Sequence, residues 1–187
     1  MNVDDAIRSR RTVKAFAPEP LPRAQLEELF ELARWAPNHK LTGPWRFRVI
    51  GPKALEKLKL ADARRACDEA PDGADAEAIG AASAAKLDRA PTLVVVSAVR
   101  NPDPILDAED VHATAVAAYI VLLAAHARGL AGYWRTPGVL RDPDGLDAVG
   151  VPDGEQILGL LHLGHAAQLA GDPPARSATD AFVTFLE

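Results

Sequence analysis

The stretch APTLVVVSAV, which runs from Ala90 to Val99, does most to decide the fold. Apolar, largely β-branched residues follow one another from Leu93 to Val96 with no polar residue between them. A strand with one solvated face alternates apolar and polar residues, whereas a strand covered on both faces does not. The run therefore predicts a buried β-strand.

A long apolar segment, Ala113–Ala127, follows this strand. Asp107 is a suitable N-cap before it and Gly129 is a suitable stop after it, so we predict a helix from Asp107 to Arg128. The apolar stretch is shorter than the roughly 20 residues of a membrane-spanning helix, and His126 interrupts its end. We therefore expect a buried core helix, apolar on almost every face, and no membrane insertion.

Shorter elements surround these two. Hydrophobic spacing predicts a helix at Val3–Ser9, with Val3, Ala6 and Ile7 facing inward, and a second helix that begins at Pro22 and ends before Pro37. Further helices are expected in Pro52–Leu60 and Ala61–Asp88, the latter with a polar loop around Pro71–Gly73, and further strands in Trp45–Ile50, Leu130–Thr136, Gln156–Ala166 and Phe182–Leu186. Helices and strands mix without regular βα alternation, which predicts one α+β domain spanning residues 1–187, a mixed sheet with helices packed on it.

The composition excludes several classes of function. The 187 residues are 48% hydrophobic, enough for one domain with a core. A formal net charge of -5 and an aromatic content of 5% argue against nucleic-acid binding. The single cysteine, Cys67, excludes an intramolecular disulfide and suits a reducing cytoplasm. The N-terminus lacks the apolar core of a secretion signal.

No metal site or familiar nucleotide motif is expected. The sequence contains neither GxGxxG nor GxxxxGK[ST]. The segment Asp107–His112 carries possible ligands, but carboxylates at a helix start are explained more simply by capping and by the helix dipole. His162 and His165 lie three residues apart on a predicted strand, so they face opposite sides of the sheet.

Positive charge concentrates near the start of the chain, in RSRRTVKAF, Arg8 to Phe16. Two guanidinium groups and a hydroxyl, from Arg10, Arg11 and Thr12, follow a short helix and are suited to bind a phosphate group. The alternative is a solvated basic surface.

Two further segments place polar groups beside turns. WAPNHK, Trp35 to Lys40, puts an amide, an imidazole and an amine on a proline-bounded loop of the kind that often carries function. The alternative is that Asn38 only shapes the turn. GYWRTPG, Gly132 to Gly138, offers a flat apolar wall next to a cation; the alternative is an aromatic packed on the core.

Taken together, these segments resemble the FMN-dependent nitroreductases, and in particular the short, single-domain bacterial NAD(P)H nitroreductases. The resemblance runs from the arginine pair through APNHK…PWRF, RAPTLVVV, the alanine-rich helix and G-x-W-R to LGLLHLG and FVTFL. The order and spacing of these motifs carry it, since no single motif is specific.

The resemblance implies a mainly antiparallel sheet and a cytoplasmic homodimer with two FMN molecules at the subunit interface. The residues that it implies for FMN binding are Arg10, Arg11, Thr12, Trp35, His39, Trp134, Arg135 and Thr136. It also implies ping-pong transfer of hydride from NAD(P)H, a transient reductant, to a nitroaromatic, a quinone or a similar small acceptor. The flavin carries this chemistry, so no catalytic side chain is expected. Two alternatives stay open: a flavin reductase or dehydrogenase on the same fold, and an FMN-binding protein without turnover.

Overall fold

A computed structural model describes residues 1–168, 171 and 173–186. Its α-helices are α1 (Val3–Ser9), α2 (Arg23–Ala33), α3 (Pro52–Asp68), α4 (Ala76–Ala84), α5 (Pro104–Ala127) and α6 (Pro143–Ala148). Its strands are β1 (Trp45–Val49), β2 (Thr92–Val99), β3 (Ala131–Arg135) and β4 (Glu155–Gly164). Short 3₁₀ turns lie at His39–Leu41, Ala85–Arg89, Gly138–Arg141 and Thr179–Ala181.

The four strands form one antiparallel sheet in the order β1-β2-β4-β3. The decisive stretch of sequence is the interior strand β2, which pairs Val96 with Phe47 on one side and Val95 with Leu160 on the other. The register shifts between Val96 and Ser97, opposite Gly159. The predicted α+β class and antiparallel sheet are confirmed.

Helices cover both faces of this sheet. Val94 and Val96 pack into one core with α2 and α5, whereas Leu93 and Val95 pack into a second core with α3 and α6. Successive side chains of a strand point to opposite faces, so the middle of β2, Leu93 to Val96, must be apolar on both faces to satisfy both cores. This is the physical reason for its unbroken apolar run.

The central helix α5 starts earlier than predicted. Its N-cap is Asp103, which accepts a hydrogen bond from the backbone N–H of Ile105 at 2.9 Å, and Pro104 occupies the first helical position. The prediction of Asp107 as the cap was wrong: Asp107 lies inside the first turn and binds the Arg100 guanidinium, with an Nε to Oδ1 distance of 2.8 Å. Gly129 follows the helix at a φ of 76°, as predicted.

With 24 residues, α5 is longer than the apolar stretch in the sequence suggested. It is long and apolar enough to cross a membrane by length and composition alone. Half of its most apolar 18-residue stretch is nevertheless buried within the fold. The helix packs against all four strands and against α1 and α2. It therefore has the packing of the core helix that the sequence predicts.

Two other local predictions need correction. In α1 only Ala6 is buried, while Val3 and Ile7, predicted to face inward, are more than half exposed. The segment Phe182–Leu186 is not a strand: it follows a 3₁₀ turn, and Phe185 is 91% exposed. Apolar alternation alone does not make a strand, because the backbone also needs a hydrogen-bonding neighbour, and β1 and β3 pair with none of these tail residues.

The helical region after β1 is more regular than predicted. The helix expected at Pro52–Leu60 continues to Asp68, and α4 follows after turns around residues 71–73, where the polar loop was expected. The segment after β3, expected as a loop, contains the 3₁₀ turn Gly138–Arg141 and the short helix α6.

Candidate cofactor site

The N-terminal arginines lie beside the edge strand β3. Helix α1 ends at Ser9, Arg10 leaves it with extended dihedral angles, and Thr12 then forms a parallel β-bridge with Gly132. Gly132 sits where a Cβ atom would lie 3.0 Å from both Leu122 and Leu163, so the absence of a side chain lets β3 approach the core closely. The segment Arg10–Thr12 is thereby fixed along the start of β3.

A cleft of about 210 Å³ opens at this junction. We call it the arginine cleft; its lining residues include Arg10, Arg11, His126, Ala166 and the segment 129–132. Both arginines are partly buried. None of the described residues that line the cleft carries a carboxylate. The cleft therefore concentrates positive charge within an acidic protein.

Arg11 is held in place at one end of its guanidinium group. Its Nη1 donates to the backbone carbonyls of Arg8 and Arg10, at 2.6 and 2.7 Å, and so satisfies carbonyl groups at the end of α1. Its Nε is buried and makes no hydrogen bond to any described part of the chain. An orphaned N–H on a fixed cation fits an anionic oxygen as its missing partner.

His126, in the last turn of α5, is a residue of this cleft that the sequence did not single out as functional. Its Nε2 lies 2.7 Å from the Ser9 hydroxyl. Burial, with the nearby charges of Arg10 and Arg11, lowers the pKa of His126. The sequence feature that could have indicated His126 is its position as a polar residue that interrupts a long apolar stretch.

Three further residues predicted to bind FMN, Trp134, Arg135 and Thr136, lie at the far end of β3 or directly after it. The Trp134 indole packs against the α2/α5 core and donates from Nε1 to the carbonyl of Leu158 at 3.1 Å, the arrangement of a core aromatic. Arg135 projects from the opposite face of β3, and its Nη1 is buried without a partner among the described residues. Thr136 lines a small cleft of about 100 Å³ beside Gly159.

The loop after α2 is fixed by a buried carboxylate. Asp110 is 3% exposed and accepts hydrogen bonds from Thr42 and, at 3.2 Å, from Asn38. Asn38 also accepts from the backbone N–H of Gly43 at 2.7 Å, so its side chain shapes the turn. Lys40 has a left-handed backbone, with a φ of 56°.

His39 and Trp35 do not reach the arginine cleft. His39 Nδ1 lies 2.7 Å from Glu109 Oε2, 17 residues before His126 on α5. At 1.5 Å per residue these helical positions are about 25 Å apart. Trp35 is 76% exposed and lines a separate apolar cleft between α1, α2 and α5. One chain therefore brings Arg10, Arg11 and Thr12 to the start of β3 but leaves His39 and Trp35 elsewhere.

Other potentially reactive groups have structural roles. The Cys67 thiol is partly buried and donates to the carbonyl of Ala76 at 3.1 Å, joining α3 to α4. No group of three or more potential metal ligands is found within the part of the chain that the structure describes.

Comparison with known proteins identifies the family. The model of the nitroreductase family matches residues 7–165, which include Arg10, Arg11, His126 and all four strands. The chain belongs to the nitroreductase family. The family resemblance seen in the sequence is thereby confirmed.

Two curated relatives of this nitroreductase-family protein align over most of its length. "Putative NAD(P)H nitroreductase YfhC" of Bacillus subtilis is 28% identical over 163 residues, covering 86% of this chain and 82% of YfhC. "Putative NAD(P)H nitroreductase YdjA" of Escherichia coli K12 is 29% identical over 166 residues, covering 88% of each protein.

Solved structures agree on the fold. A nitroreductase-like family protein from Bacillus cereus superimposes with a TM-score of 0.85 at 26% identity, covering 100% of this chain and 97% of that one. The FMN- and NADPH-dependent nitroreductase NfnB from Sphigopyxis sp. strain HMH superimposes with a TM-score of 0.80 at 19% identity, covering both chains completely. The latter likeness establishes the shared fold alone.

Proposed function

We propose that this nitroreductase-family protein is an FMN-dependent NAD(P)H oxidoreductase that reduces small acceptors such as nitroaromatics or quinones. Family membership and the two curated relatives, both named as NAD(P)H nitroreductases, support the enzyme class predicted from the sequence. The observation that carries the proposal is the arginine cleft, where Arg10 and Arg11 converge in a protein of net charge -5.

The residues of the arginine cleft fit a phosphate group. Arg10 and Arg11 supply guanidinium N–H donors, and the buried Nε of Arg11 has no described partner. Thr12, next to them on the β-bridge, supplies a hydroxyl. These groups would hold the phosphate of FMN. The bound flavin would supply the redox chemistry, the transfer of hydride from NAD(P)H to the acceptor.

Arg135 has a different task in this proposal. Its Nη1 is buried and unpartnered among the described residues, at the end of β3 that lies away from the arginine cleft. A fixed cation in a partly buried position stabilises negative charge more strongly than one in water. Arg135 would bind an anionic oxygen of the cofactor ring, while Arg10 and Arg11 bind the phosphate.

The functional unit in this proposal is a homodimer. Exposed apolar residues lie on α1, α2 and α5: Val3 and Leu32 line the cleft beside Trp35, and Val116 and Tyr119 are exposed on α5. Apolar patches of this kind on a soluble chain are typical of protein interfaces. If the two chains packed antiparallel along α5, the Glu109 end of one helix, beside which His39 lies, would approach the His126 end of the other. A cytoplasmic location, which suits the free thiol of Cys67, belongs to the same proposal.

The test is an anaerobic titration of the FMN-loaded protein with NADH or NADPH. Loss of the visible flavin absorption band, followed by its return on addition of a nitroaromatic or a quinone, is the expected result. Bound FMN that neither coenzyme bleaches would favour the alternative of a binding protein without turnover. A chain that does not bind FMN would overturn the proposal.

A further inference from the structure

The hydrogen bonding of Ser9 determines which nitrogen of His126 carries a proton. The Ser9 hydroxyl lies 2.5 Å from the carbonyl oxygen of Asp5, and a carbonyl accepts only, so Ser9 donates its single proton there. Ser9 Oγ therefore accepts from His126 Nε2, 2.7 Å away. The neutral ring thus holds its proton on Nε2. Its Nδ1, which makes no hydrogen bond to the described chain, is the site at which a second proton can bind.

The charged groups that act on His126 are positive. Arg10 and Arg11 approach it from the N-terminal segment, and Met1 lines the same cleft. Arg128, the C-cap of the same helix, is paired with Glu28 of α2, with an Nε to Oε2 distance of 3.7 Å. Among the described residues that line the arginine cleft there is no carboxylate to offset these cations. The arrangement disfavours a charged imidazole until an anion enters the cleft.

We propose that His126 binds the same phosphate group as Arg10 and Arg11 and takes up a proton when it does so. This inference rests on the proposed function, because it assigns a further ligand to the same site. A phosphate dianion in the cleft reverses the sign of the local potential, which favours the imidazolium form. His126 then adds a third cation, held in position through Ser9, to a site that would otherwise contain two.

The proposal fixes the direction of a pH effect. Burial and the two arginines lower the pKa of His126, and a bound dianion would raise it. Between the lower and the higher pKa, binding takes up one proton, so anion affinity increases about tenfold for each unit by which the pH falls. Above the higher pKa the imidazole is neutral in both the free and the bound protein, so His126 no longer makes the affinity depend on pH.

The first measurement uses sulfate, because the FMN phosphate itself titrates near pH 6 and would obscure the effect. The full-length protein, freed of flavin, is titrated by NMR with and without saturating sulfate, and His126→Gln identifies the imidazole signals. We expect sulfate to raise the pKa of His126 by at least about one unit. An unchanged pKa, with sulfate bound in the cleft, would overturn the proposal.

The second measurement compares FMN affinity in wild type, His126→Gln and Ser9→Ala across pH. Glutamine can still donate to Ser9 but cannot become charged, whereas Ser9→Ala removes the hydrogen bond and leaves the imidazole. The wild-type affinity should exceed that of His126→Gln by a ratio that grows as the pH falls, and Ser9→Ala should retain that pH dependence. Riboflavin, which lacks the phosphate, should show no such ratio.

The outcomes separate the two proposals. If FMN binds and Arg10 and Arg11 contribute, but the wild type and His126→Gln remain equal at every pH, the role of His126 is overturned and the proposed function stands. If wild-type protein binds neither FMN nor sulfate, both proposals fail. A loss of affinity in His126→Gln that is the same at every pH, and equal for riboflavin, would indicate a structural role only.

Discussion

Thr12 forms a parallel β-bridge with Gly132, and this contact joins the N-terminal arginines to the edge of the sheet. The two residues are 120 positions apart in the chain. Their pairing converts a cluster of charge in the sequence into one wall of a cleft whose other wall is the end of α5.

Gly159 is required by the indole of Trp134. It has a φ of 148°, and a Cβ atom there would lie 2.2 Å from Trp134 Nε1 and 2.7 Å from the carbonyl oxygen of Arg135. We predict that Gly159→Ala lowers the free energy of unfolding by about 2–3 kcal/mol, since the indole and the backbone must both move. Chemical denaturation measures this. Gly154→Ala, at a position with open space around it, is the control and should be close to wild type.

Arg48 and Glu155 form a two-pronged ion pair across the sheet. The Nη1–Oε2 and Nη2–Oε1 distances are 2.7 and 2.8 Å, and Ser97 also donates to Glu155. Because the Glu155 side chain is 8% exposed, Glu155→Gln should lower the free energy of unfolding by about 1.5–3 kcal/mol. Glu19→Gln, at an exposed loop position, is the control.

The same pair contributes to stability against acid. The hydrogen bond from Arg48, together with that from Ser97, holds the pKa of Glu155 below its usual value. A carboxyl group with a lowered pKa in the folded state stabilises the fold above its unfolded pKa, and this contribution is lost as the pH falls through the folded pKa. Glu155→Gln should therefore flatten the stability profile on the acid side. An unchanged profile would contradict this.

His162 is the buried histidine of β4, stacked on Tyr133 with ring centroids 4.3 Å apart. Burial, with the charges of Arg135 and Arg89, lowers its pKa to about 3. Between about pH 6.5 and about pH 3, His162 binds a proton in the unfolded chain but not in the folded chain, so the free energy of unfolding falls as the pH falls. We predict that His162→Leu shifts the midpoint of acid unfolding to lower pH.

The matched control for this prediction is His165→Leu. His165 is exposed three residues further along, so its replacement should leave the acid midpoint unchanged. Equal midpoints for wild type and His162→Leu, measured by circular dichroism, would show that His162 does not oppose folding at low pH.

Much of the fold follows from the sequence because burial leaves a periodic signal. The unbroken apolar run from Leu93 to Val96 in β2 indicated cover on both faces, and Gly129 marked the end of α5. The start of α5 was mislocated because Asp103 and Asp107 are both plausible caps; Pro104 decides between them by fixing the first helical residue.

The site was less predictable because its parts come from distant segments. The positions of Arg10 and Arg11 as a charge cluster were visible in sequence, but His126 joins them only through the packing of α1 on α5. Trp134 is a different case: its sequence context left open a flat apolar wall or an aromatic packed on the core, and its packing and its hydrogen bond to Leu158 are those of the second.

The proposed dimer predicts a specific effect of charge on α5. Val116 is a 40% exposed apolar residue on the helix that the interface would cover. Val116→Glu introduces a better helix former but places a charge in that interface, so it should shift a dimer towards monomer and weaken FMN binding without loss of the helix. Sedimentation over a dilution series, with and without FMN, measures both effects.

Ile79→Glu is the control for the dimer. Ile79 is exposed to a similar extent, 37%, but lies on α4, outside the apolar cleft of α1, α2 and α5. It should leave the association state unchanged. Wild-type protein that sediments as a monomer while holding stoichiometric FMN would rule out a cofactor site shared between two chains.

The most direct test of the cofactor site compares the affinities for FMN and for riboflavin, which lacks the phosphate, in wild type and in the double variant Arg10→Gln, Arg11→Gln. A hydrogen bond to a charged group contributes about 1.5–3 kcal/mol, or roughly tenfold to a hundredfold in affinity for each bond lost. We predict that wild type strongly prefers FMN and that the double variant binds the two flavins almost equally while remaining folded. A preference for FMN that survives both substitutions would show that the phosphate binds elsewhere and would contradict the assignment of the arginine cleft.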